Sequence, residues 1–151
     1  MKPPLRDMPS SASPAWIRWF NSPFTYTPLD QTKMVYTFSY QPSWTLITGM
    51  EEYIPDSAKL IVGSIQLVQA GSPVTPLWLD LAPDVTGKGR LSFQLYSASV
   101  LSVITQPLWF PLINNPAAGM YYRFANQNPD QTTGLAAPGG NVYMYISGYW
   151  I

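Results

Sequence analysis

Almost nowhere along the 151 residues do apolar side chains recur at helical spacing for three turns. Sixteen prolines and ten glycines cut the chain into short apolar runs instead. A proline inside a helix removes a backbone donor and clashes with the preceding turn, so a chain punctuated in this way is confined to strands and loops. The runs themselves carry the period of two that marks a half-buried strand. From Lys33 to Tyr40, for example, Met34, Tyr36, Phe38 and Tyr40 fall on one face, with Val35, Thr37 and Ser39 on the other.

Read in this manner, the sequence predicts eight strands: 33–40, 44–48, 59–70, 77–81, 91–96, 100–105, 120–125 and 142–151. Gly49 to Ser57 is expected as a loop or a single helical turn. Gly71-Ser72-Pro73 is short enough to make the third and fourth strands a hairpin candidate. Thr86-Gly87-Lys88-Gly89-Arg90 reads as a hairpin turn, because a phosphate-cradling loop would need a hydroxyl residue after the lysine and a helix behind it. The passage from Gln106 to Gly119 carries Pro107, Pro111 and Pro116, which cannot lie in a central strand. It is expected to be a long apolar loop. The prediction is therefore an all-β domain over 30–151, an eight-stranded antiparallel sandwich or barrel with the double Greek-key jelly roll as its eight-stranded form. An irregular N-terminal arm would occupy 1–29.

Eight basic residues balance eight acidic ones, so the chain lacks the positive charge that neutralises nucleic-acid phosphates, and no direct nucleic-acid contact is expected. Residues 91 to 122 contain no charge at all, yet Pro107, Pro111, Pro116, Asn114 and Gly119 interrupt any apolar helix long enough to span a bilayer. Met1 to Pro14 is polar and has no apolar run of the kind a cleaved signal requires, so export through a cleaved signal is not expected.

The residue types missing from the chain narrow its chemistry. Without histidine there is no conventional serine triad, and without cysteine there are no thiolate sites or disulfides. The acidic residues Asp30, Glu51, Glu52, Asp56, Asp80, Asp84 and Asp130 could supply a glycosidase pair in principle, but their placement favours solvated or turn-forming roles. Neither a catalytic group, a cofactor nor a metal is expected.

The aromatic residues remain to be placed. In the last strand Val142, Met144, Ile146, Gly148 and Trp150 alternate with Tyr143, Tyr145, Ser147, Tyr149 and Ile151, making both faces apolar or aromatic. Such a strand is either central, lying between two layers, or covered by another chain. Trp16, Trp19 and Phe20 sit in the arm, and Trp109 and Phe110 in the expected loop, where a core is hard to reach. Together with Tyr143, Tyr145 and Tyr149 they form the expected interface. The chain would then be a homo-oligomer, joined through its arm or its final strand, with exchange of a segment between two copies as one form. Rings that stack on sugars offer the competing reading, a lectin-like carbohydrate-binding β-sandwich module.

A proline-rich arm, eight strands, a long uncharged passage before the seventh strand, and the ending Gly139-Gly140-Asn141-Val142-Tyr143-Met144-Tyr145-Ile146-Ser147 resemble the single jelly-roll capsid proteins of icosahedral viruses. The arm departs from the basic arms of small RNA-virus coats. What remains is similar to the small capsid proteins of tailless, membrane-containing phages such as those of Thermus. That resemblance implies a structural, non-enzymatic subunit of the virion, assembled in the host cytoplasm. It also implies a second capsid protein as partner and an internal viral membrane nearby that the chain does not span.

Overall fold

The computed structural model describes residues 25–70, 75–96, 101–112 and 119–151. Among the described residues eight strands follow one another: β1 (Tyr26–Phe38), β2 (Gln41–Leu46), β3 (Leu60–Ala70), β4 (Leu77–Ala82), β5 (Leu91–Leu95), β6 (Leu101–Pro111), β7 (Tyr121–Ala125) and β8 (Gly140–Trp150). A 3₁₀ turn, Met50–Glu52, lies between β2 and β3. The strands form two antiparallel four-stranded sheets, sheet I in the order β1-β8-β3-β6 and sheet II in the order β2-β7-β4-β5. Among the described residues no ladder joins the sheets into a closed barrel.

Alternation sends one face of each sheet into a shared core. Sheet I contributes Ile61, Ile65 and Leu67 of β3, Leu108 and Phe110 of β6, and Val142, Met144 and Ile146 of β8. Sheet II contributes Leu77, Leu79 and Leu81 of β4, Phe93 and Leu95 of β5, and Tyr122 and Phe124 of β7. Each such side chain stabilises the fold by about 1.5–3 kcal/mol relative to its exposed state. Phe38, Tyr36 and Tyr122 meet edge to face, with centroids 5.1–5.6 Å apart, and fasten β1 of one sheet to β7 of the other.

Several expectations are corrected by the strand register. β1 begins at Tyr26, inside the stretch expected to be arm, and Val35 is an extra residue between the pairs Met34↔Tyr145 and Tyr36↔Met144. The bulge sends Met34 outward while Val35, Tyr36 and Phe38 turn to the core. β3 and β4 are not a hairpin, since they lie in different sheets, whereas the turn carrying Gly87 and Gly89 does join the paired strands β4 and β5. Gln106 to Pro111, expected as loop, continues β6. Pro107 and Pro111 are accommodated because β6 is an edge strand, and a residue whose amide points away from the sheet loses nothing by lacking it.

β8 lies between β1 and β3 and so is no open edge needing another chain. Its pairs Val62↔Gly148 and Gly63↔Ile146 leave Ser147 as an extra residue, whose hydroxyl donates to the Val62 carbonyl at 3.1 Å. The bulge reverses the alternation beyond it. Tyr149, expected on the outer face, pairs with Ile61 and packs on the core, while Trp150 sits beside Tyr26 with centroids 5.5 Å apart. Gly63 is required opposite this bulge, because a Cβ there would overlap the Tyr145 carbonyl oxygen.

Candidate functional site

Two surfaces stand out, one polar and largely closed, the other open and rich in apolar and aromatic side chains. The first is built on the outward side of sheet II. Asp80 lies in the middle of β4, where alternation places Leu79 and Leu81 inward and itself outward, opposite Arg123 of β7 and Ser92 of β5. Its carboxylate accepts from Arg123 Nη2 at 2.7 Å, Ser92 Oγ at 2.6 Å and Trp78 Nε1 at 2.9 Å. Asp80 is fully buried and Arg123 nearly so. Three donors and one opposite charge compensate the cost of removing that carboxylate from water.

The cover over this pair comes from two loops and one indole. Asp130, in the β7–β8 connection, accepts from Arg123 Nη2 at 2.9 Å and from Arg90 through both terminal nitrogens, at 3.0 and 2.5 Å. The two guanidinium groups hold the Asp130 carboxyl down at about 2, the bond from Arg90 being the stronger cause. Asp130 in turn raises Arg90. The guanidinium of Arg123 lies 4.4 Å from the ring centroid of Trp44 on β2. Gly87, with φ +75°, passes directly over that indole, where any Cβ would penetrate the ring. In the same turn Asp84 takes its expected turn-forming role. Its carboxylate accepts from the Thr86 hydroxyl at 2.5 Å and the Thr86 amide at 2.7 Å, which lowers its proton affinity.

In this network two carboxylates and two guanidinium groups neutralise one another. Its chemistry is that of a clamp holding the 83–90 turn and the loop after β7 onto sheet II. Asp80, assigned to a turn from sequence, is a buried strand residue instead. Among the described residues no group of three or more acidic, histidine or cysteine side chains could hold a metal ion.

The second surface is the outward side of sheet I. Reading across the strands, Met34, Tyr145, Ser64 and Pro107 form one row, and Thr37, Tyr143, Gln66 and Thr105 the next. Val62 beside Trp109, and Val68 beside Val103, extend the face in both directions. None of these side chains is charged. Of the expected interface residues, Tyr143 and Tyr145 lie on this face, and the Tyr145 hydroxyl donates to Gln66 Oε1 at 3.5 Å. Trp109 is 56% exposed on the same side. Phe110, its expected companion, is a core residue with no exposure, because neighbouring strand residues point to opposite faces. Tyr149 leaves the face by the bulge, and Trp16, Trp19 and Phe20 lie outside the described residues.

Exposed large apolar side chains concentrate along β6: Leu101 at 68%, Val103 at 56%, Ile104 at 38% and Trp109. Of this stripe only Trp109 falls in the passage that the prolines made read as loop; Leu101, Val103 and Ile104 lie in the predicted strand 100–105, whose spacing alone does not show their exposure. No protein-family model, curated protein or solved structure matches the chain.

Proposed function

We propose that the chain is a jelly-roll sandwich serving as a structural, non-enzymatic subunit of a virion shell. The observation that carries the reading is the nesting of strand pairs. β1 pairs with β8, β2 with β7, β3 with β6 and β4 with β5, all antiparallel. A chain folded back on itself once and then rolled into two sheets makes these four pairs, which supports the jelly roll, an architecture shared by viral capsid and lectin domains. Between those two uses the surface favours assembly. The outer face of sheet I is broad and, across β8, β3 and β6, uncharged, while the carboxylates and guanidinium groups on sheet II pair with one another.

In this reading the partners are further copies of the chain and a second capsid protein. The shell assembles in the host cytoplasm over an internal membrane that the chain does not cross, without direct contact to nucleic acid. No helix among the described residues is long and apolar enough to span a bilayer. The test is the solution mass of the purified protein together with electron micrographs, alone and mixed with its co-expressed shell partner. Oligomers or lattice patches are expected. A strictly monomeric protein that binds glycans at micromolar affinity overturns the reading in favour of a carbohydrate-binding module.

A further inference from the structure

Four strands border the two sheets, and three of them are defended against pairing with another chain. β1 carries Pro28, Asp30 and Lys33 and loses its register between Pro28 and Lys33. β2 carries Pro42 and pairs irregularly, and β5 is only five residues long with Arg90 just before it. Short length, proline, charge and irregularity are the usual defences of an edge. β6 has eleven residues and no charge, and its prolines protect only its second half.

The direction of the free amides follows from the ladder. Leu112 donates its amide to the Lys59 carbonyl at 2.8 Å, so the even-numbered residues of this stretch turn their amides toward β3. Odd-numbered residues turn theirs toward the open side, which is where Pro107 and Pro111 lack a donor. Leu101, Val103 and Thr105 keep theirs. The undefended half, Leu101 to Thr105, is also where β6 exposes Leu101, Val103 and Ile104.

We propose that a second copy of this chain pairs with Leu101–Thr105 of β6, antiparallel and about a two-fold axis at Val103, making one eight-stranded sheet from two sheets I. Among the described residues the other strand edges are defended, so the available complement to β6 is β6 itself. Antiparallel pairing about Val103 sets Leu101 against Thr105 of the other copy and Val103 against itself, and every outward amide and carbonyl in the segment then finds a partner. Pro107 stops the pairing from sliding further. The pairing also doubles the outer face that the two copies present to a further layer. Four strands about 4.8 Å apart and about 36 Å long offer roughly 700 Å² per copy to a further layer, close to what one partner contributes to a standard interface. The proposal rests on the shell-subunit reading for its purpose, as the smallest step of self-association.

The chain has no cysteine, so single-cysteine variants report the contact directly. Opposed hydrogen-bonded strand residues have Cα atoms about 5.5 Å apart, within disulfide reach. Val103→Cys should cross-link to itself under mild oxidation, and Thr105→Cys should not. In sedimentation equilibrium, Val103→Pro should raise the dimer dissociation constant about tenfold or more with circular dichroism unchanged, since its own ladder does not use that amide. Val103→Lys should act likewise if the proline variant fails to fold. Wild-type assemblies that persist unchanged in both variants, with no cross-link at Val103, overturn this contact while leaving the shell reading standing. A wild type that is monomeric at every concentration overturns both.

Discussion

Replacing Asp80 with alanine isolates the energetic role of the buried clamp. The substitution removes the acceptor shared by Arg123 Nη2, Ser92 Oγ and Trp78 Nε1, and leaves a guanidinium nearly out of solvent with only the half-exposed Asp130 to face. Breaking a buried ion pair by removing one member costs about 3–5 kcal/mol. The unfolding entropy of a chain this long is about 0.3 kcal/mol/K near the midpoint, so the loss should lower Tm by roughly 10–15 °C. Asp130→Ala removes charge from the same network, but from a side chain 46% exposed, and should cost about 1 kcal/mol or less, roughly 3 °C. Thermal unfolding followed by circular dichroism, with urea denaturation of both variants, measures the contrast. The double substitution Asp80→Leu with Arg123→Met should recover much of the loss, because two apolar side chains of similar size leave no uncompensated charge. Equal destabilisation by Asp80→Ala and Asp130→Ala would refute the assignment of Asp80 as the anchor.

Three further outcomes follow from the register and from proton equilibria. Phe110→Ala should cost about 3–5 kcal/mol and Trp109→Ala under about 1 kcal/mol, as read by urea midpoints, since adjacent rings face core and solvent respectively. Burial, helped by the Tyr122 hydroxyl, pushes the Tyr36 phenol up to about 12. The neutral form is thus favoured in the fold, and its stabilisation, present below about pH 10, should disappear as pH rises from 10 to 12; Tyr36→Phe should flatten that decline in thermal scans. Asp130 behaves oppositely, being held at about 2. Its contribution is complete above about pH 4 and is lost as pH falls toward 2, so proteolysis of the loop after β7 should accelerate over that acid interval and Asp130→Asn should remove the dependence.

Strands whose alternation is uninterrupted are legible in the sequence itself. Ile61, Ile65 and Leu67, or Leu77, Leu79 and Leu81, declare their inward face from spacing alone. What is not legible depends on neighbours. Pro107 forbids a central strand but permits an edge, and only the sheet order tells which β6 is. The extra residue Ser147 moves Tyr149 and Trp150 to faces opposite those their spacing gives, a displacement forced by pairing with β3 and carrying no local mark. The clamp is half visible. A single aspartate inside an alternating leucine strand, next to Trp78, signals a buried partner, but nothing local identifies Arg123, 43 positions away.

The place of β8 bears on how the molecule comes into being. It follows every other strand along the chain, yet Tyr26 and its neighbours in β1 have no pairing partner in sheet I until β8 lies down between them and β3. A nascent chain that has emerged as far as β7 therefore holds β1 unpaired and β3 with an open flank. Loop closure across roughly a hundred residues must precede the reward of those contacts, which places acquisition of the native state in the slow, millisecond-to-second regime of nonlocal β topologies. During that interval the undefended half of β6 is already available. Encounter between chains is then in competition with completion of each one, and the rate at which β8 arrives sets the balance between ordered assembly and misassociation.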